Sequence, residues 1–527
     1  MTLPLIAIAA LVAYIIICPL RRTIHMLQQN SYRLERYWDW YMPRARQELR
    51  KGEIVLILPL LGALISAPAF AAAAFIAAAL LLFIYWPRPQ AEKKPLVFTA
   101  RVKRLYALSA LFVLIDGFII AAFLLWLRPW LIVAALALAL MCVGANYYAL
   151  GALRMIEPLE RRIANRYLNE AKRRLSELLY LTTVAVTGSY GKTSVKLIAA
   201  AICSEKYMTL ATPASYNTPM GVTRVIREQL RPLHQVFIAE MGAKQVGDIA
   251  ELCELAPPKI GILTAIGEQH LESFGSLANI INTKFELIEH LPADGTAVLN
   301  FDDANIAANA HRSPCRVISY GLSADYDFWA DDIRYGKDGS SFTVHHDADS
   351  RAFSCRLLGR HNVSNILAAV AAASVLGVTL AEAARGVKGL QPIEHRLQLR
   401  QAQDYYIIDD AFNANPAGAA SALEVLSCFE GGQKIVITPG MVELGEAEYR
   451  LNYQFGRQMA AVCDQIILVG KKHSLPLQEG VRDADFPRER LFVAADLKEA
   501  RRHLTTILSP GSVVLFENDL PDSYDEA

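Results

Sequence analysis

The chain has 527 residues, room for several domains, and its 53 basic side chains balance 52 acidic ones, so nothing in the global charge argues for nucleic acid. Its 8 cysteines are scattered without a CxxC pair or a Cys/His cluster at metal spacing, which gives no ground for a disulfide framework or a zinc site and fits a reducing compartment. Hydrophobic residues reach 53%, and the excess falls before Gly151.

In chain order, the first elements read as membrane spans. Leu3 to Leu20, Ile54 to Trp86, Ala107 to Leu127 and Trp130 to Leu150 are apolar runs of roughly bilayer length. Ile54 to Trp86 is long enough for one tilted helix or a hairpin of two. Basic residues lie on both sides of it, Arg44, Arg46, Arg50 and Lys51 before and Arg88, Lys93, Lys94 and Arg101 after. Both loops are then cytoplasmic, which requires an even number of crossings and predicts a hairpin bending near Ala67-Pro68. A second hairpin turns at Arg128-Pro129, giving about five crossings with the N-terminus outside. The first run has no basic residue ahead of it and two arginines behind, the pattern of a reverse anchor. Asp116 is the one acid inside a span, a residue to line a polar path or to face a neighbouring helix. From Arg154 to Leu179, charges alternate with apolar positions at helical spacing, an amphipathic connector that either touches anionic lipid head groups through its arginines or stands solvated as a linker.

The β-branched run ending at Val186 enters TGSYGKTS, Thr187 to Ser194, and then a helix-forming segment. Gly188 and Gly191 let the backbone curl so that N–H groups, with those of Ser189 and the helix N-terminus, point at phosphate. Lys192 reaches the β- and γ-phosphates of a nucleotide, and Thr193, with Ser194 beside it, offers a hydroxyl to Mg²⁺. The loop is a shortened form of the usual one, with Val186 where the first glycine would stand.

Strand-like runs then alternate with helical ones, VAVTG, VFIAEMG, IGILTAIG and TAVLNFDD, which predicts an α/β domain with a mainly parallel sheet and a site at the strands' carboxyl ends. Polar residues fall at those ends: Glu240 after one strand, and Glu268 to His270 after the next, with Lys284 further on. Thr212 to Pro219 is a turn-rich loop suited to closing on a ligand. Beyond about Pro392 a second alternation begins, YYIIDDAF, KIVITPGM, QIILVG, RLFVAAD and SVVLFEN, with helices at Pro416 to Phe429 and Arg450 to Val462. Asp409-Asp410 closes the first of these strands.

The ordered segments TGSYGKTS, SYNTPMGV, EMGAKQVGDIAEL, IGEQHLESFGS with TKFE, LNFDD, GRHNVSNILAA and DDAFNANPAGAASAL resemble the Mur ligase superfamily, nearest the branch that joins D-alanyl-D-alanine to UDP-N-acetylmuramoyl-tripeptide. The resemblance covers about Leu181 to the C-terminus and implies a P-loop central domain, 181–393, and a Rossmann-like C-terminal domain, 394–527, behind a transmembrane module, 1–153, and a connector, 154–180. It implies ATP and two Mg²⁺ ions: Lys192 on the phosphates, Thr193 and Glu240 on one Mg²⁺, His270 on a second together with a carbamylated Lys284. Asn362 and Asn365 match positions that contact adenine, Arg396 the phosphates and Asp410 the ribose. A substrate carboxylate would attack ATP to give an acyl phosphate, and the amine of an amino acid or dipeptide would displace phosphate.

Several segments depart from that branch: spans replace the UDP-gripping N-terminal domain, EHRLQL replaces a short glycine-arginine element, and FENDLPDSY stands where a basic-serine segment belongs. SYNTPMGV also lacks the branch's asparagine-rich loop. The expected protein is thus a multi-pass enzyme of a bacterial inner membrane with cytoplasmic catalytic domains, acting on a muramoyl-peptide or lipid-linked acceptor in cell-envelope synthesis, with no protein partner implied. Two other readings stand beside it: a ligase adding another amino acid to a lipid-linked or non-wall acceptor, and a membrane ATPase that forms no amide.

Overall fold

Strand β1, Thr182–Thr187, is the axis of the larger sheet, and its sequence TTVAVT explains why. A short β-branched run buried along nearly its whole length suits the centre of a parallel sheet covered on both faces. The computed structural model describes residues 20–30, 32–42, 95–126, 130–267, 274–336, 339–392, 396–402, 404–411, 416–442 and 444–518. The chain divides into two compact units, Met1–Asn165 and Arg166–Ala527.

In the first unit, Leu20, Ile24, Leu27, Tyr37, Val102, Leu105, Ala152 and Leu153 form a buried apolar cluster. Arg104 and Glu160 are bridged at 2.6 Å, and the Tyr148 hydroxyl donates to Asp116 Oδ2 at 2.5 Å. Asp116 thus faces a neighbouring helix, the plainer of its two expected roles. Leu3 to Leu20 lies almost wholly outside the described residues, and Ile54 to Trp86 and the Arg128-Pro129 turn lie wholly outside them. Among the described residues no helix is long and apolar enough to cross a membrane. The runs at Ala107 to Leu127 and Trp130 to Leu150 fall on the helices Ala100–Trp126 and Trp130–Ser176. The second helix continues through Pro158, so the connector expected at 154–180 is no separate element. A proline inside a helix removes one backbone donor but does not oblige the helix to stop when its flanks are good helix formers.

The second unit holds two sheets. The nine-stranded one has the order β2-β3-β1-β4-β5-β6-β7-β8-β9, with β2 Thr209–Ala211, β3 Val236–Glu240, β4 Ile260–Leu263, β5 Thr296–Asn300, β6 Arg316–Gly321, β7 Phe328–Gly336, β8 Gly339–His346 and β9 Asp349–Cys355. Strands β1 to β7 pair in parallel, whereas β7, β8 and β9 pair antiparallel. That antiparallel end was not expected from the sequence. Its alternating burial shows the cause: one face packs on the core and the other meets water, which antiparallel strands tolerate.

Because side chains alternate along β1, Val184 and Val186 join Ile198, Ile202, Ile366 and Val370 on one face. Ala185 joins Phe237, Phe285 and Ile288 on the other. Each large side chain fully buried in this way contributes about 1.5–3 kcal/mol. Ala171 of the long helix packs into the second of these clusters. The chain leaves β1 toward the β3 and β2 side and leaves β4 toward β5 on the opposite side, so the sheet has its switch point at the carboxyl ends of β1 and β4. The phosphate-type loop starts there.

The six-stranded sheet has the order β10-β11-β15-β12-β13-β14, with β10 Gln398–Ala402, β11 Tyr405–Asp410, β12 Lys434–Thr438, β13 Gln465–Val469, β14 Leu491–Ala494 and β15 Val513–Glu517. All pairs are parallel except β10 with β11. The five expected strands are present, and the helices at Pro416–Ser427 and Glu448–Val462 match the expected segments to within two residues.

Candidate active site

β1 ends at Thr187, and the chain turns through Gly188 and Gly191, with φ of +150° and +81°, into the helix Lys192–Ser204. Both glycines are required by close approach as well as by φ. A Cβ on Gly188 would fall 2.1 Å from Thr264 Oγ1, and one on Gly191 would fall 2.6 Å from Asn365 Oδ1. Neighbouring segments clamp the loop: the Ser189 amide donates to Ala265 O at 2.7 Å, and Thr264 Oγ1 donates to Tyr190 O. Ser189 Oγ also donates to Gly267 O at 3.1 Å. Lys192 folds back over the loop, its ammonium donating to Gly188 O at 2.6 Å and Ser189 O at 3.0 Å. Burial lowers its pKa to about 8 against the opposing pull of Glu240. A desolvated cation held over the loop carbonyls, at a helix N-terminus, is a site prepared for a polyanion.

Glu240 ends β3 and is buried. Its Oε2 lies 3.0 Å from Lys196 Nζ, and its Oε1 accepts from Asn217 Nδ2 at 3.0 Å. Lys196 also donates to Ala214 O at 2.5 Å, so the turn-rich loop after β2 is tied to the carboxylate. Each carboxylate oxygen takes one donor and has a further lone-pair site free. With Thr193 lining the same cavity, this donor set fits a Mg²⁺ ion completed by phosphate oxygens and water, as Mg²⁺ prefers. The chemistry such an ion supplies is neutralisation of phosphate charge.

Lys284 lies on the helix Leu277–Glu289 and is 4% exposed. Burial, and then the Lys192 charge, lower its pKa to about 7. His270 lies outside the described residues, and among the described residues no group of three His, Cys, Asp or Glu could hold a metal.

A cavity of 590 Å³ joins the loop to the six-stranded half. Ser189, Gly191, Lys192, Thr193 and Ser194 line it together with Glu240, Asn362, Asn365, Arg396 and Asp410, so all these expected site residues meet in one space. Gly188 stands at the start of the same loop. Asn362 Nδ2 is held by Leu358 O at 2.8 Å and Asn365 Nδ2 reaches Asn362 Oδ1 at 3.4 Å, both on the helix Arg360–Val375. The Leu397 amide donates to Asp410 Oδ1 at 2.9 Å. Burial lowers the Arg396 pKa, while Glu240 and Asp410 raise it.

Sequence reasoning missed Lys196, His361 and Glu517. Lys196 sits one helical turn beyond Lys192 and is paired with Glu240 of a distant strand, which no local pattern signals. His361 Nδ1 and Ser421 Oγ lie 2.8 Å apart, and burial followed by Arg396 lowers its pKa to about 4, so the ring is neutral at physiological pH. Glu517 ends β15 and lines the cavity.

Residues 186–373 match the Mur ligase middle domain and residues 395–517 the Mur ligase, glutamate ligase domain. The chain is 30% identical over 374 residues to the UDP-N-acetylmuramoyl-tripeptide–D-alanyl-D-alanine ligase of Escherichia coli K12, covering 69% of this chain and 82% of that one. The enzyme of the same name from Bacillus subtilis 168 is 28% identical over 360 residues, covering 68% and 75%. Among solved structures, MurF from Acinetobacter baumannii superposes with a TM-score of 0.62 at 28% identity, covering 68% of this chain and 77% of that one. MurF from Thermotoga maritima in complex with ADP gives 0.61 at 25% identity, covering 68% and 80%. The likeness extends through both sheets and the cavity that joins them, and the chain belongs to the Mur ligase family as an ATP-dependent, ADP-forming amide ligase.

Proposed function

We propose that the enzyme joins D-alanyl-D-alanine to the free carboxylate of a muramoyl-tripeptide at the expense of ATP; the relatives it resembles are named as ligases of UDP-N-acetylmuramoyl-tripeptide and D-alanyl-D-alanine. The observation that carries this reading is the single cavity in which Lys192, Glu240, Asn362, Asn365 and Arg396 converge. Residues 181–393 serve as the ATP-binding domain and 394–527 as the domain that closes on it. The loop and Lys192 hold the β- and γ-phosphates, Thr193 and Glu240 hold one Mg²⁺, and Arg396 faces the phosphates from the other wall. Asn362 and Asn365 stand toward the adenine. Closure over the site excludes water, which otherwise consumes an acyl phosphate.

Lys284 belongs to the same reading as a carbamylated residue that, with His270, holds a second Mg²⁺. Its depressed pKa supports this, because CO₂ adds only to a free amine, and burial keeps the amine free near neutral pH. The carbamate then turns a cation into an anionic oxygen donor.

The apolar runs before Gly151 and the basic loops between them support anchoring of the N-terminal third in a bacterial inner membrane, with the catalytic domains cytoplasmic. Those runs precede both family matches, which favours a second reading of the acceptor: a muramoyl-peptide already linked to lipid. Mass analysis of products from the full chain in detergent, given Mg²⁺, ATP, D-alanyl-D-alanine and either UDP-muramoyl-tripeptide or membrane lipid extract, separates the two. An adduct on the nucleotide-linked acceptor supports the first, one confined to lipid the second, and ADP release without either adduct contradicts both.

A further inference from the structure

β11 and β15 are parallel neighbours whose register sets Asp410 opposite Glu517 at the carboxyl end of the six-stranded sheet. Register partners on strands about 4.8 Å apart carry their side chains on one face, so the two carboxyl groups stand side by side. Just beyond them the Asn518 amide donates to Asp410 O at 3.1 Å, which ties the two strand ends together. Asp410 lines the cavity, and the Leu397 amide donates to its Oδ1. Glu517 is 0% exposed, and no N–H or hydroxyl donates to either of its oxygens. An ionised carboxyl so placed is costly, and a neutral one needs an acceptor for its proton. Asp410 is the acceptor beside it.

The charged groups packed around the pair have other engagements. Arg396 acts on Asp410 and on Glu240 across the cavity. Asp409, beside Asp410 on β11, lies 3.3 Å from Arg400 Nη2 of β10. The helix Pro416–Ser427 packs on β15, and its one charged side chain, Glu424, lies 3.7 Å from Arg360 Nε. On the other side of β15, β12 has Lys434 as its one charged residue, at the end away from Glu517. Thr438, at the near end, accepts from the Gly440 amide at 3.0 Å. Burial raises the Asp410 pKa to about 6 against the Leu397 amide and Arg396, with Asp409 adding repulsion. Burial first, and Asp410 second, hold Glu517 well above the usual carboxyl range. At neutral pH the pair therefore carries one proton, and its more buried member keeps it.

We propose that Glu517 is a neutral acid that donates to the Asp410 carboxylate and so positions it to receive the ribose hydroxyls of the nucleotide. Glu517 touches Asp410 and not the ligand. An O–H···O⁻ hydrogen bond is among the short, strong ones, and it stops the carboxylate from rotating or taking up a proton. Each carboxylate oxygen has two lone-pair sites, so Asp410 still has sites for ribose hydroxyls after accepting from Leu397 and Glu517. Glu517 belongs to FENDLPDSY, where this chain departs from the branch it resembles. The inference rests on the nucleotide reading above and adds the residue that orients its ribose contact.

The test measures affinity of the full chain in detergent for ADP and for 2′,3′-dideoxy-ADP, comparing wild type, Glu517→Gln and Glu517→Leu. The ratio of the two affinities cancels the grip on the phosphates, including any change of charge on Lys192 with pH. At about pH 7.5 wild type is expected to favour ADP by about tenfold or more. Glu517→Gln, whose amide N–H donates in place of the acid, keeps that preference within about threefold. Glu517→Leu lowers ADP affinity about tenfold, with dideoxy-ADP affinity within about threefold. Part of the Glu517→Leu preference returns at about pH 9, where Asp410 ionises without a donor; loss of packing alone would not be restored by pH. A Glu517→Leu preference equal to wild type overturns the proposal, as does a preference lost equally in both variants. A preference raised in Glu517→Gln also overturns it, by showing that Glu517 is ionised and repels Asp410, and this variant decides the matter if Glu517→Leu does not fold. Wild type that binds both nucleotides equally places ribose away from Asp410 and overturns the proposal alone. Wild type that binds neither overturns the nucleotide reading beneath it.

Discussion

Lys196 Nζ lies 3.0 Å from Glu240 Oε2, with the two side chains 0% and 1% exposed. A buried ion pair gains little over apolar packing, but removing one partner leaves a charge without compensation. Lys196→Met is therefore expected to cost about 3–5 kcal/mol of stability. Thermal melts with and without Mg²⁺ check it: added Mg²⁺ recovers part of the loss if the freed Glu240 carboxylate accepts the ion. A variant as stable as wild type would mean that Asn217 alone suffices to hold Glu240.

Gly191 sits at φ +81° with Asn365 Oδ1 2.6 Å from where a Cβ would be. The left-handed conformation costs an alanine about 1–2 kcal/mol before any clash is counted. Gly191→Ala should weaken ATP binding at least tenfold and displace Asn365, with little change in the melting of the rest of the chain. Nucleotide titration followed by intrinsic fluorescence reads this.

Lys192→Ala removes the cation that covers the loop carbonyls, so ATP turnover should fall by about 10²–10³-fold. Stability should hold or rise, because the ammonium is desolvated and its pKa depressed to about 8. Parallel measurement of ADP release and of the thermal midpoint separates the two effects.

The sign for Lys284 follows from its folded pKa of about 7, below the ordinary 10.5. Between those values the unfolded chain binds more protons than the folded one, so stability rises with pH through that window. Lys284→Met should flatten the rise, as read from denaturation midpoints between pH 7 and pH 10. If Lys284 serves the nucleotide's metal as a carbamate, the activity of Lys284→Met should drop by at least about 10–100-fold, the cost of disturbing even an outer-shell partner of a metal. Wild-type activity in CO₂-free buffer should recover on adding bicarbonate, more fully at pH 8 than at pH 6, where the amine is protonated. Indifference to bicarbonate at both pH values would remove the carbamate from the account.

The loop at 187–194 was legible because no ordinary turn needs glycines followed by Lys-Thr, and Glu240 because a carboxylate closing an apolar strand is out of place unless something binds there. Lys196, buried against Glu240, reads in sequence as one more helix lysine, since its partner lies 44 positions away. Glu517 is similar: its place opposite Asp410 depends on β15 pairing with β11, a register that no local pattern encodes. The antiparallel end at β7 to β9 escaped because half-buried strands of mixed polarity resemble loops until the helix they pack against is known. In the N-terminal third, the continuous helix Trp130–Ser176 joins what hydropathy and charge had divided into a span and a connector, because helix propensity carries across a change in polarity.

The central claim is that a substrate carboxylate is activated by phosphoryl transfer. The most direct measurement supplies the muramoyl-tripeptide acceptor with ¹⁸O in its reacting carboxylate, together with ATP, Mg²⁺ and D-alanyl-D-alanine, and weighs the released phosphate. One ¹⁸O atom in each phosphate, in step with amide formation, is the predicted result. Unlabelled phosphate released with ADP would show that water is the acceptor, and would contradict the assignment of this cavity to amide ligation.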